Sequence, residues 1–246
     1  MSKTYEALKR AEALRARERE EAGVAGPSPL PSAQDVPLSG SDDYYELRRR
    51  LESNSVGDSL RTVLVASALH GEGASSVSCL LARAMADGGR AKSLLVDMNL
   101  RTPSLWRLMD VQGRDGITSV INDDRKIEDV MQETGVDGLK VVTAGDGYVD
   151  AINVIDNART LEVIGDLGRQ ADVVFIDAAP ITLYPDARAL APVVDAVILV
   201  VEADITPVSV ASRAVDLIRD SGANLLTVVL NKRNEYVPDR VMQLVG

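Results

Sequence analysis

Residues 62–76 read TVLVASALHGEGASS: an unbroken apolar run that gives way at once to a glycine turn and then to serines. A run of that length, rich in Val and Ala, predicts a strand buried on both faces, the kind found inside a parallel sheet. The serines open SVSCLLARAMADGG (76–89), whose strong helix formers end on paired glycines, so a helix follows the turn directly. The stretch is therefore a strand–glycine loop–helix junction. In an open α/β sheet such a junction lies at the carboxyl edge, where ligands bind. Gly71 and Gly73 permit the tight turn, and the freed backbone N–H groups face the positive end of the helix, a ready anion site.

Outward from that junction the pattern repeats. Apolar runs at 93–98, 138–146, 171–180, 195–203 and 224–232 predict five more strands. Helices are expected at TLEVIGDLGRQA (160–171) and at PVSVASRAVDLIRDSG (207–222), with Pro207 in the first turn of the latter and Gly222 at its C-cap. Repeated β–α units of this kind give an α/β fold, a doubly wound and mostly parallel sheet flanked by helices. DDYYELRRRLES (42–53) reads as a further helix, N-capped by Ser41 or Asp42. Before it, residues 23–41 carry prolines at 27, 29, 31 and 37, the composition of a flexible linker. Residues 1–22 read as a charged helix whose thin stripe of Tyr5, Leu8, Ala11 and Leu14 has little to bury alone. The expected organisation is thus helix (1–22), linker (23–41) and α/β domain (42–246).

Composition narrows the function. Apolar residues make up 46% and aromatics only 3%, which suits a core of Val, Leu, Ala and Ile. The formal net charge of −10 makes unassisted binding to nucleic acid electrostatically unfavourable. One cysteine, Cys79, and one histidine, His70, leave no basis for a disulfide framework or a His-rich metal site. No apolar run approaches the ~18–20 residues of a membrane span, and the N-terminus has no signal-peptide core. A cytoplasmic protein is expected, with any membrane association made through a partner. Leu105 and Trp106 are expected to form a hydrophobic plug on a short helix, and Tyr44 and Tyr45 to pack.

Two further motifs lie at strand ends. LLVDMNLR places Asp97 and Arg101 after the second strand, and VVFIDAAP places Asp177 and Pro180 after the 171–180 strand. Aspartates there are badly placed for packing and well placed to hold a metal-bound water. Ser75 stands where a phosphate loop offers a hydroxyl to Mg²⁺.

Taken together, SALHGEGASS, LLVDMNLR and VVFIDAAP resemble the bacterial tyrosine kinases of capsule and exopolysaccharide synthesis, within the MinD/ParA-type P-loop ATPases. The resemblance runs from about residue 42 to 235. It implies a site for ATP or ADP with Mg²⁺: Gly71, Glu72, Gly73, Ala74, Ser75 and Ser76 as the phosphate loop, and Asn231 facing the adenine. It implies Ser75, Asp97 and Asp177 around the metal, and Asp97, Arg101 and Asp177 as the catalytic set. It also implies, as partners, an inner-membrane polysaccharide co-polymerase or a sister kinase, with homo-oligomers possible and nucleic acid not expected.

The departures from that pattern carry the functional expectation. Ala74 stands where the family places the phosphate lysine, and Leu69 where MinD/ParA proteins place a second lysine. Asn99 replaces the second aspartate of the D-x-D motif. The ring-assembly Glu-x-x-Arg-x-x-Arg segment is degraded to Asp42, Tyr45 and Arg48, and Tyr236 is the lone tyrosine where a tyrosine-rich tail is usual. Phosphoryl transfer is catalysed by positioning and charge neutralisation, so the expectation is a regulator or scaffold with little or no catalysis. The alternatives are an active autokinase, its missing charge supplied by Arg101, His70 or Lys92, and a ParA/MinD-like positioning ATPase.

Overall fold

In a computed structural model of the chain, the residues described are 49, 60–87, 91–123, 125–145, 151–155 and 157–233. Their strands are β1 (Thr62–Ser67), β2 (Ser93–Asp97), β3 (Gln132–Glu133), β4 (Leu139–Val142), β5 (Val173–Asp177), β6 (Ala196–Glu202) and β7 (Leu225–Asn231). Their helices are α1 (Ala74–Ala86), α2 (Leu105–Leu108), α3 (Ile117–Asn122), α4 (Ala151–Ile155), α5 (Ala158–Leu167), α6 (Asp186–Leu190) and α7 (Val208–Asp220). The seven strands form one sheet in the order β3-β4-β2-β5-β1-β6-β7. Every pairing is parallel except β3 with β4.

The order agrees with burial. β1, β2 and β5 are buried at every position and lie inside the sheet. Alternate side chains feed two cores. Leu64, Val96, Ile176 and Leu199 pack on one face with Ile117, Ile164, Leu190 and Ile218. Val63, Leu95, Phe175 and Ile198 pack on the other, under α1 and the Leu105 and Leu108 side chains. Cys79 is buried in α1, as its apolar surroundings imply.

Two expectations change. β3 is an added antiparallel edge strand of two residues, too short to leave a periodic signal. The Leu105–Trp106 plug is half right: Leu105 is fully buried, while Trp106 is 42% exposed, its ring over Gly113 and beside the Arg107 guanidinium. On a one-turn helix, adjacent residues cannot both face the core. Gly222, by contrast, takes the left-handed φ of 78° expected after α7. The expected helix at 1–22, the linker, Tyr44, Tyr45 and Tyr236 lie outside the described residues, and of the expected helix at 42–53 only Arg49 is described, helical and exposed. Among the described residues, no helix is long and apolar enough to cross a membrane.

Candidate functional site

The carboxyl ends of β1, β2 and β5 meet at one place because β5 lies between the other two. Asp97 and Asp177 are Cα partners across β2 and β5, so the two carboxylates emerge side by side. The loop 68–73 leaves β1 next to them, with Gly71 at φ 82° and Gly73 at φ 90°, left-handed values that explain glycine at both places. At Gly73 there is a second reason: a Cβ would sit 2.3 Å from Asn231 Nδ2. Ala74 then opens α1, its methyl 7% exposed. Ser75 follows, and its Oγ donates to Asp177 Oδ2 at 2.6 Å.

Both aspartates are fully buried. Asp97 Oδ1 accepts the Asn99 N–H at 3.1 Å, and Oδ2 accepts those of Ser104 and Leu105, each at 3.1 Å. Burial pushes its carboxyl up to about 6, against the lowering by these three amides. Asp177 is pushed well above the ordinary carboxylate range by burial and then by the neighbouring Asp97 charge, with the Ser75 hydroxyl acting the other way. The same burial, with the two aspartates beside it, raises the Cys79 thiol. Among the described residues Asp177 Oδ1 has no hydrogen-bond partner. A buried oxygen of this kind normally has one, so the orphan marks a place where a group is accommodated.

The donor set fits Mg²⁺: one hydroxyl and two carboxylates, all hard oxygens, with an unpartnered oxygen among them. Among the described residues no group of three or more His, Cys, Asp or Glu side chains could hold a metal ion, so the set is the two carboxylates with the Ser75 hydroxyl. Mg²⁺ commonly takes one or two carboxylates and completes its shell with water and phosphate oxygens.

The remaining expected residues divide. Glu72 is 3% exposed and does not face an open mouth. Its Oε2 accepts the Leu69 N–H at 2.7 Å and its Oε1 accepts the Thr206 hydroxyl, so it ties the loop from within. Asn231 reaches the loop, but its Nδ2 donates to the Glu72 carbonyl at 2.8 Å. Arg101 grips the buried Asp186 through two bonds of 2.7 and 2.8 Å and lies 4.2 Å over the Tyr184 ring. His70 meets the Tyr184 hydroxyl at 3.0 Å. Lys92 does not come to the site at all: it precedes β2, at the opposite edge of the sheet, bonded through its backbone to Asp172. Sequence reasoning passed over Lys232, whose Nζ donates to the Gly71 carbonyl at 2.6 Å and to Glu202 Oε2 at 3.0 Å. Its place directly after Asn231 was the available signal.

No family model matches the chain. Among curated proteins it is 30% identical over 199 residues to the tyrosine-protein kinase CpsD of Streptococcus agalactiae serotype III, covering 80% of this chain and 84% of that one. It is 27% identical over 206 residues to a putative tyrosine-protein kinase CapB of Staphylococcus aureus, covering 83% and 90%. Among solved structures, the chimerical protein CapA2B2 superposes with a TM-score of 0.75 at 25% identity, covering 82% of this chain and 89% of that one. The septum site-determining protein MinD of Pyrococcus horikoshii, complexed with Mg-ADP, superposes at 0.61 with 24% identity, covering 75% and 76%, a likeness of fold.

Proposed function

Because the chain belongs to the family of bacterial capsule and exopolysaccharide tyrosine kinases, we propose that it is a weakly active or non-catalytic member. It regulates or scaffolds polysaccharide assembly through contact with a membrane chain-length co-polymerase or a sister kinase. The supports for a partner are the resemblance itself and the solved relative CapA2B2, which is a chimera. In this reading the chain works at the inner face of the inner membrane, carried there by its partner. The N-terminal residues 1–41 serve as helix and tether.

One observation carries the reading: the phosphate loop enters α1 on the methyl of Ala74. What remains of the cradle is the backbone at the start of α1, whose N–H groups and dipole favour an anion. Ser75, Asp97 and Asp177 would hold Mg²⁺ beside it. When bound, that ion would neutralise charge on the phosphate oxygens. The chain's own contribution is placement: Glu72 fixes the loop, and Asp97 is itself fixed by three amides. Loss of a positioned charge at such a centre typically costs ~10²–10³ in rate. Arg101 supports the same conclusion, because its guanidinium is committed to Asp186 and Tyr184.

The alternative, an active autokinase with an unusual loop, is favoured by the retained Ser75–Asp177 pair and by the cation of Lys232 at the loop. Calorimetric titration with Mg·ATP and Mg·ADP separates the two, with Ala74→Lys as the gain-of-function control. Binding that is absent or only millimolar in the native chain and tightens at least ~30-fold in Ala74→Lys is expected, since an added charge–phosphate contact contributes about 2 kcal/mol or more. Micromolar binding with measurable turnover by the native chain would favour the autokinase.

A further inference from the structure

Lys232 has two features that ordinary packing does not explain. It is one of three non-glycine residues among those described with a positive φ, 57°, a conformation that costs a side chain with a Cβ. Its ammonium, half-exposed on a long stem, is nevertheless held between the Gly71 carbonyl and Glu202. A strained residue whose side chain is spent on a functional loop points to work done there.

We infer that Lys232 is a positioning residue for the phosphate loop, aiming its backbone amides from outside. The inference rests on reading 69–76 as a phosphate cradle. In a trans peptide the C=O and the following N–H point in opposite directions. Lys232 Nζ draws the Gly71 carbonyl towards the end of β7, so the Glu72 N–H is aimed away from β7. Asn231 Nδ2 does the same to the Glu72 carbonyl, which aims the Gly73 N–H likewise. Neither amide finds an acceptor among the described residues. Two consecutive donors at one strand end thus set two consecutive amides of the loop.

The anchor behind Lys232 is shared. Glu202, its partner, ends β6, and its N–H donates at 3.0 Å to the Thr206 Oγ whose proton goes to Glu72. The loop is therefore held from one flank of β1, by the segments at the ends of β6 and β7. In a loop whose lysine position is Ala74, backbone amides are the anion-binding groups that remain, so their aim decides affinity. The left-handed backbone at Lys232 and the contact of its Nζ with the Gly71 carbonyl occur at the same residue, directly after β7.

The test uses the full chain, native and Ala74→Lys, titrated with Mg·ADP and separately with inorganic pyrophosphate. Lys232→Met is expected to weaken binding of both about tenfold in whichever parent binds, and Lys232→Arg to restore most of it. Lys232→Gly separates aim from stability: it relieves the backbone, so the melting temperature holds or rises while binding is lost as in Lys232→Met. Unchanged pyrophosphate binding in Lys232→Met would overturn the role. If neither parent binds either probe, the cradle reading fails. Lys232 is then judged by hydrogen exchange at the amides of Glu72 and Gly73, where about tenfold faster exchange in Lys232→Met supports it and no change overturns it.

Discussion

Asp177 is a carboxylate with one oxygen on Ser75 and the other on nothing, in a place without solvent. A carboxyl whose pKa is higher folded than unfolded holds its proton more tightly in the native state. Its penalty is therefore absent at low pH and grows as pH rises from about 4 through the folded value. For Asp97 that growth ends near pH 6; Asp177, raised well above the ordinary carboxylate range by burial, follows the same sign. Asp177→Asn should accordingly raise the melting temperature by several degrees at pH 7.5 and by less at pH 5, while weakening any Mg²⁺ response. Thermal melts at the two pH values test this, and equal shifts at both would refute the electrostatic account. Arg101 makes the opposite case. Its partner Asp186 is only 1% exposed, so Arg101→Ala strands a buried carboxylate and should cost about 3–5 kcal/mol in urea denaturation. The double variant Arg101→Ala, Asp186→Asn should recover part of that loss.

At the scale of the element, the loop between β1 and α1 shows how two similar glycines differ. Gly71 has a left-handed φ but open space around it, so Gly71→Ala should cost only the backbone preference, about 1–2 kcal/mol. Gly73 has the same kind of φ with the Asn231 amide 2.3 Å from where a Cβ would stand. Gly73→Ala should cost more and also expel Asn231 from the Glu72 carbonyl. Urea denaturation gives the first comparison, and faster exchange at residues 72–74 in Gly73→Ala alone gives the second. Similar losses in the two variants would mean that Asn231 yields freely. The helix that follows has no side-chain cap at its start, so in the proposed reading its first amides remain available to an anion.

For the molecule as a whole, the sheet should open from its edges. β1 and β5 are buried at every residue, whereas β7 is only partly buried, with Val228 at 41% and Leu230 at 65% exposure. Native-state hydrogen exchange should find the slowest amides in β1 and β5 and faster ones in β7 and β3, since local opening follows buried apolar contact. Uniform protection across all seven strands would contradict this.

Legible in the order of residues alone were the α/β class, six of the strands, the position of the glycine turn and the identity of the strand-end aspartates. These are local properties: apolar runs, helix formers and turn residues are written in consecutive positions. The sequence also carried the family pattern, through three motifs whose order is readable in one dimension. Which charges meet was not legible there, because it depends on strand order and register. Parallel crossovers set β2 beside β5 and so paired Asp97 with Asp177. The parallel direction of β2 leaves Lys92 at the amino edge, while the folded chain closes Arg101 onto Asp186, ties Glu72 to Leu69 and Thr206, and brings Lys232 to Gly71 across 161 residues of chain. Residue type names the chemistry a side chain can do; its neighbours across the sheet, fixed by burial and register, decide whether it does it.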